Sequence, residues 1–387
     1  MLVRAAHALP ADAGIDRVRL AEVTAVVARH AQSPRIAIGM ALHPALARDY
    51  GAAHIVLTAA GVTDARCAEA LARADRAAVA DARERPPHRE LEQAWLGWLT
   101  GGPRPAPALV ARTALGRGSD VLLGTRDDLY ALTHALIYAT DFGAVLPRMP
   151  RAAGAIAAEC DSALAGVLDD DDFDLAAELL LAAPYLRRRW SPAAAFCFSV
   201  LTSVEDRVGV LPSLSLDRAG VERQAPAERE AYVAAVAYHT AYVMGLLCAA
   251  ILAAPHRPQP PRQAAAASPL AERLLVELAA GPRRLQWVAA AQALTPRARA
   301  PLTSLLLDMA LRRAARALDL AKVRALLIDG LEARVPPTPL RLQAAELLAR
   351  LAEAAPAQPP AEPPDEDDAQ TLARPRISAT TSPLASA

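Results

Sequence analysis

The sequence predicts an all-α protein, and three observations carry that prediction. Hydrophobic residues fill 53% of the 387 positions but aromatics only 4%, so Ala and Leu must do most of the packing. Both are strong helix formers, whereas strands need β-branched and aromatic side chains to fill a pleated surface. Apolar residues recur at helical spacing nearly everywhere, and Pro or Gly breaks cut the chain into short segments. The pattern predicts antiparallel helical hairpins, forming either an α/α-toroid-like domain or an irregular solenoid. The toroid is preferred because its inner helices would be apolar yet carry isolated polar residues. No repeat of fixed period is visible, which disfavours ankyrin and tetratricopeptide arrays.

The elements follow in order. Ile15, Val18, Val23, Val26 and Val27 share one face of a first helix ending near Ser33-Pro34. Pro44 opens a segment through Tyr50, His54, Leu57 and Gly61. Helices then read over 64–79, 88–99, 106–115, 126–142, 152–168 and 173–186. Ser191-Pro192 starts the next, since Ser caps free amides and Pro is tolerated at the first helical position. A loop containing Gly209, Pro212 and Gly220 leads into a long segment, 228–254. Residues 255–268, opening Pro-His-Arg-Pro-Gln-Pro-Pro, read as a surface loop or linker. Helices resume over 270–280, 284–294, 301–318, 321–335 and 339–354, the last capped by Thr338 before Pro339. One helical domain is thus expected over 1–354. Residues 355–387 are Pro-rich, then acidic, then Ser/Thr-rich, and predict a disordered tail that cannot offset its ordering entropy.

Charge and cysteine usage narrow the function classes. Lys plus Arg (42) balances Asp plus Glu (42), so no net field draws in nucleic acid or an anionic membrane. Lys322 is the only lysine, which argues against a P-loop or Schiff-base lysine. Cys67, Cys160, Cys197 and Cys248 form no C-x-x-C and sit in apolar stretches, so they read as buried thiols rather than a disulfide framework. Met1–Pro10 lacks the apolar region of a signal peptide, and a cytoplasmic location is the expectation. Ala231–Pro255 contains no Asp, Glu, Lys or Arg and is long enough to span a bilayer. Its Ala content and Tyr232, Tyr238, His239, Thr240 and Tyr242 favour a buried central helix over a membrane span. A partner-facing apolar helix is the third reading.

The residues able to carry chemistry cluster in three Tyr/His segments. On a helix, Tyr130, His134 and Tyr138 are four apart, with Thr133 and Asp141 close to the same stripe and Gly143 placed to end the helix. A His flanked by Tyr hydroxyls and a carboxylate is what proton transfer near neutral pH needs. His239 and Tyr242 form a second block, and Tyr50 with His54 a weaker third. Buried imidazoles and hydroxyls cost about 1–3 kcal/mol each if unpaired, so they should meet one another or line a cavity. They also fit the plainer reading of core polar groups that fix helix register. Three imidazoles could hold a metal, but no H-x-x-x-H or H-E-x-x-H pair anchors one, so no metal or cofactor is assigned. The run Asp169–Asp172 with Asp174 contains D-D-x-x-D and D-x-D-D, the magnesium-diphosphate and acid patterns of terpenoid cyclases. It also directly precedes a helix, whose amino terminus favours acids. Arg187-Arg188-Arg189 reads as a solvated helix end, and Trp95 with Trp98 as hydrophobic anchors.

The block Thr133-His134-x-x-x-Tyr138-x-Thr140-Asp141-Phe142-Gly143 resembles a signature of an uncharacterised all-helical bacterial family often found near biosynthetic genes. Phe198–Gly209 is similar to a helix-end pattern of α/α-toroid, terpenoid-cyclase-like proteins. It lacks their Gln and aromatic repeat, and the chain lacks the Cys/Cys/His zinc set of lanthionine cyclases. The first resemblance implies no established reaction and the second implies only a fold. Two functions remain open. The first is a small-molecule enzyme or ligand-binding protein of specialised metabolism. His134 would be its acid or base, Tyr138 or Asp141 would orient or relay the proton, and His239, Tyr242, Tyr130 and His54 would contact an apolar substrate. The second is a non-catalytic helical scaffold, binding a protein through a groove or through the carboxy-terminal tail.

Overall fold

In the computed structural model the described residues are 17–354, apart from 78, 80, 81, 261, 262 and 282–284; they form helices and turns, and no strand occurs among them. Ile15 and the expected disordered tail, 355–387, lie outside the described residues. The described residues divide into a compact unit, 17–346, and the last turns of a helix, 347–354.

The first unit begins with α1 (Arg17–Ala31), α2 (Pro34–Leu42), α3 (Ala47–Ala59), α4 (Ala65–Asp75) and α5 (Pro87–Leu99). Pro34 therefore starts a helix of its own rather than only ending the first. The short α6 (Pro107–Arg112) and α7 (Ala114–Arg117) divide the expected 106–115 segment, because Thr113 leaves the helical region to cap α7. Then come α8 (Arg126–Ala139), α9 (Ala153–Asp169), α10 (Phe173–Leu180), α11 (Ala182–Tyr185), α12 (Pro192–Val208), α13 (Arg218–Arg223) and α14 (Arg229–Ala253). The carboxy-terminal part contains α15 (Pro269–Ala279), α16 (Gln286–Ala293), α17 (Pro296–Arg299), α18 (Thr303–Arg316), α19 (Leu320–Glu332) and α20 (Pro339–Ala354). The caps are those the side chains dictate: Ser191 Oγ accepts the Ala194 amide at 3.0 Å and Thr338 Oγ1 the Arg341 amide at 3.2 Å.

The helix at the centre is α10. All eight of its residues, Phe173 to Leu180, are buried, and α8, α9, α12 and α14 pack around it. α14 corrects an expectation. In place of the buried central helix expected, it presses one face on α10 and leaves Tyr238 58% and Tyr242 47% exposed. The absence of charge over 231–253 reflects a water-facing side built largely of Ala and Tyr rather than full burial. By length and composition α14 is the described helix able to cross a membrane, with 39% of its most apolar window buried.

The contacts that join α5, α8 and α10 fall at a nearly constant offset, 44 to 46 residues. His88 meets His134, Glu92 meets Tyr138 and Trp95 meets Asp141. Arg126 meets Asp172, Tyr130 meets Asp174 and Thr133 meets Glu178. In each set the residue numbers rise together, so the three helices run parallel, each returned by an intervening hairpin. This is the geometry of stacked helical units. It is invisible as a sequence repeat because the positions recur while the residue types do not.

The end of α8 is built by a left-handed turn. Asp141 (φ 48°), Phe142 (φ 56°) and Gly143 (φ 83°) all adopt positive φ. Phe142 N–H donates to Ile137 O and Val145 N–H to Thr140 O, satisfying carbonyls that the helix leaves open. A Cβ on Gly143 would lie 2.6 Å from Cδ1 of the Tyr185 ring, so both backbone angle and space require glycine. Gly143→Ala should lower stability by about 1–3 kcal/mol in urea unfolding. Gly209→Ala, also at positive φ (82°) but with open space, should cost about 1 kcal/mol. Equal losses at the two sites would contradict the close packing on Tyr185.

Candidate functional site

Two carboxylates one helical turn apart define the site. Asp174 and Glu178 lie on α10 and are 5% and 2% exposed. An acid at this depth must be compensated, and the surrounding helices do so from two sides.

Asp174 is the more heavily bonded. Tyr130 Oη–H of α8 donates to its Oδ2 at 2.5 Å, and Nδ1 of His239 on α14 lies 2.8 Å from its Oδ1. An ionised carboxylate only accepts, so Nδ1 of His239 carries a proton and Nε2 is left to exchange with other partners. Arg126 Nη2 stands 3.8 Å from Asp174 Oδ2, while the same guanidinium forks onto Asp172 at 2.5 and 3.1 Å. Burial alone would raise the Asp174 pKa, but the bonds from His239 and Tyr130 outweigh it and hold the carboxyl below its ordinary range. Conversely, the hydrogen bond to Asp174 raises His239. Burial, then the bond to Asp174, pushes the Tyr130 phenol up.

Glu178 accepts the Thr133 hydroxyl at 2.5 Å and sits 3.7 Å from Nε2 of His134, a charge contact rather than a hydrogen bond. His134 Nδ1 is buried and has no hydrogen-bond partner among the described residues. The rings of His88, Tyr130 and Tyr138 surround His134 at centroid distances of 6.3, 5.7 and 6.1 Å. Burial and then Arg89 push His88 below its ordinary value.

Of the residues singled out in the sequence, His134, Tyr130 and His239 meet at this pair of acids. Tyr138 is on the same face of α8, but its hydroxyl donates to Glu92 at 2.6 Å. The left-handed turn swings Asp141 away from the imidazole, where it accepts Trp95 Nε1–H at 2.9 Å. Tyr242 lies on the exposed side of α14 against Tyr238. His54 is elsewhere: its Nδ1 is 3.2 Å from Gln32 Nε2, and burial pushes its pKa down. The carboxylate beside His134 is therefore Glu178.

Asp174 and Glu178 went unselected because an acid early in a helix reads as a dipole partner. The available signal was their four-residue spacing in Phe-Asp-Leu-Ala-Ala-Glu-Leu-Leu, a helix otherwise wholly apolar. The rest of the acidic run serves packing and capping. Asp169 forks onto Arg313 at 2.7 and 2.6 Å, Asp170 pairs with Arg316 at 3.2 Å, and Asp172 caps α10. One atom from each of Asp174, Glu178 and His239 lies within 4.8 Å of the others, a set able to hold a cation.

A cleft of about 400 Å³ lies between α11, α14 and the turn after α8, with Arg187 among its lining residues. Leu246, Ala249, Ala250 and Ala253 form one wall and Phe142, Gly143 and Tyr185 another. The Tyr185 hydroxyl is buried without a hydrogen-bond partner among the described residues, and it feels the charges of Glu178 and Asp141.

These couplings fix a pH dependence. His239, raised above 6.5 by Asp174, adds stability below that pH, and the contribution is lost as pH rises through its folded value. Asp174, lowered from 3.8, adds stability above that pH, lost as pH falls through its folded value. In an imidazole NMR titration His239 should titrate above 6.5 in the native protein and lower in Asp174→Asn. A value at or below 6.5 in both proteins would contradict the pairing.

No curated protein and no solved structure matches the chain. A family model matches residues 1–249, which contain Asp174, Glu178, His239 and their hydrogen-bond partners. The chain belongs to that family, a domain of unknown function (DUF6895).

Proposed function

We propose that the α8–α10–α14 seam transfers protons to and from a small, largely apolar molecule, the chemistry that cyclisation, isomerisation or elimination requires. The observation that carries this reading is Asp174, a buried carboxylate that fixes the His239 tautomer while also accepting the Tyr130 hydroxyl. A carboxylate behind an imidazole orients the ring and stabilises its protonated form. His239 is partly exposed, so its Nε2 is reachable from outside, and His134 with Glu178 supplies a second ionisable pair one turn further along α10. His239, Val243 and Leu246 follow one face of α14. Seven residues of helix span about 10 Å, so the 400 Å³ cleft by Leu246 lies further along α14 from His239, with buried Val243 packed between them.

A divalent cation at Asp174, Glu178 and His239 is the second reading, favoured by their mutual spacing. The Arg126 guanidinium and the Tyr130 proton already directed at Asp174 compete with a cation, which places proton transfer first.

The test is incubation of the full chain in D₂O with a metabolite extract of cells that express it, followed by mass spectrometry. At least one compound should be converted with uptake of solvent deuterium. His239→Gln and Asp174→Asn should each slow that conversion by about 10²-fold or more while still melting cooperatively. Conversion without deuterium uptake, or at equal rate in both variants, would sink the proton-transfer reading. Saturable binding of Mn²⁺ or Zn²⁺ in calorimetry, abolished by Glu178→Gln, would favour the cation instead.

A further inference from the structure

A second polar site joins α18, outside the matched residues 1–249, to the end of α9, inside them. Arg312 is 6% exposed, yet its Nε is buried without a hydrogen-bond partner, and its guanidinium makes no ion pair among the described residues. Its neighbours on the same helix differ: Arg313 forks onto Asp169, and Arg316 pairs with Asp170. α9 makes room for Arg312 with Gly166, where a Cβ would collide with its Nη1. The guanidinium borders a cleft of about 480 Å³, whose other walls include Asp169, Asp170, Arg313, Leu285 and Met309.

Among the described residues that line this cleft, arginines outnumber acids. Arg312, Arg313 and Arg316 face Asp169 and Asp170, and each aspartate is taken by one of the other two arginines. A desolvated guanidinium cannot neutralise itself by losing its proton at ordinary pH, so its burial demands a partner. Desolvation, then the like charge of Arg316, lowers its pKa, and the more distant carboxylates Asp170, Asp169 and Asp120 offset this only in part. The planar fork of arginine suits a carboxylate or a phosphate, and Leu285, Met309 and Ala317 suit an apolar remainder.

We propose that this cleft binds an organic anion, its carboxylate or phosphate group on Arg312 and its apolar part against Leu285 and Met309. The site is separate from the Asp174 seam, and its test does not depend on that seam.

The experiment is calorimetric titration and thermal melting of the full chain with hexanoate, hexyl phosphate and uncharged 1-hexanol at constant ionic strength. At least one of the two anions should bind saturably and raise the melting temperature, and hexanol should do neither. Arg312→Met keeps the side-chain bulk and removes the charge, so it should weaken the anion at least tenfold. Without ligand, that variant should melt no lower than the wild type, because an uncompensated charge has been removed. Anion binding unchanged in Arg312→Met would overturn the proposal, as would hexanol binding as well as the anions. No saturable binding of either anion, or a lower-melting Arg312→Met that still loses it, would show Arg312 to be a packing strut.

Discussion

The structure turns on accommodating two acids inside a helix that water does not reach. α10 is buried along its whole length, and it is the element on which α8, α9, α12 and α14 converge. An uncompensated carboxylate there would cost several kcal/mol even after relaxation. Hydrogen bonds to charged groups return about 1.5–3 kcal/mol each. Asp174 collects Tyr130 and His239, and Glu178 collects Thr133 with His134 beside it. The two acids thereby set the register of α8 and fix which face of α14 turns inward.

The parallel run of α5, α8 and α10 explains why so many polar residues meet on so few helices. Once successive units stack in register, a residue on α8 faces α5 on one side and α10 on the other. His134 lies between His88 and Glu178 for this reason, and Tyr138 turns to Glu92. The same stacking places the turn after α8 against Tyr185, which borders a cleft lined also by Arg187. An interior of Ala and Leu thus contains one polar seam.

Much of this was legible in the residues. Helical class, most element limits, and the caps at Ser191 and Thr338 follow from local chemistry that acts over three or four residues. That Tyr130, His134 and His239 would meet other polar groups was also visible, because a rare aromatic beside a histidine on an apolar helix has few solvated explanations. What was hidden depends on tertiary placement. Asp174 at the start of a helix looks like a dipole partner until that helix proves to be buried on every side. Asp141 looks adjacent to His134 on a helical wheel, but three positive φ angles end the helix and deliver it to Trp95. His54 carries the same local signature as His134 and pairs with Gln32 instead, since α3 belongs to the amino-terminal group of helices. The absence of charge in α14 could not distinguish full burial from an exposed face of Ala and Tyr.

Carbon-detected NMR titration of the Asp174 side-chain carboxyl tests the central claim most directly. A carboxylate held by Tyr130, His239 and the nearby Arg126 should remain ionised below the ordinary value of 3.8, despite its burial. A carboxyl that titrates above 3.8 would contradict it: desolvation would then exceed the hydrogen bonds, and the seam would be built around a neutral acid.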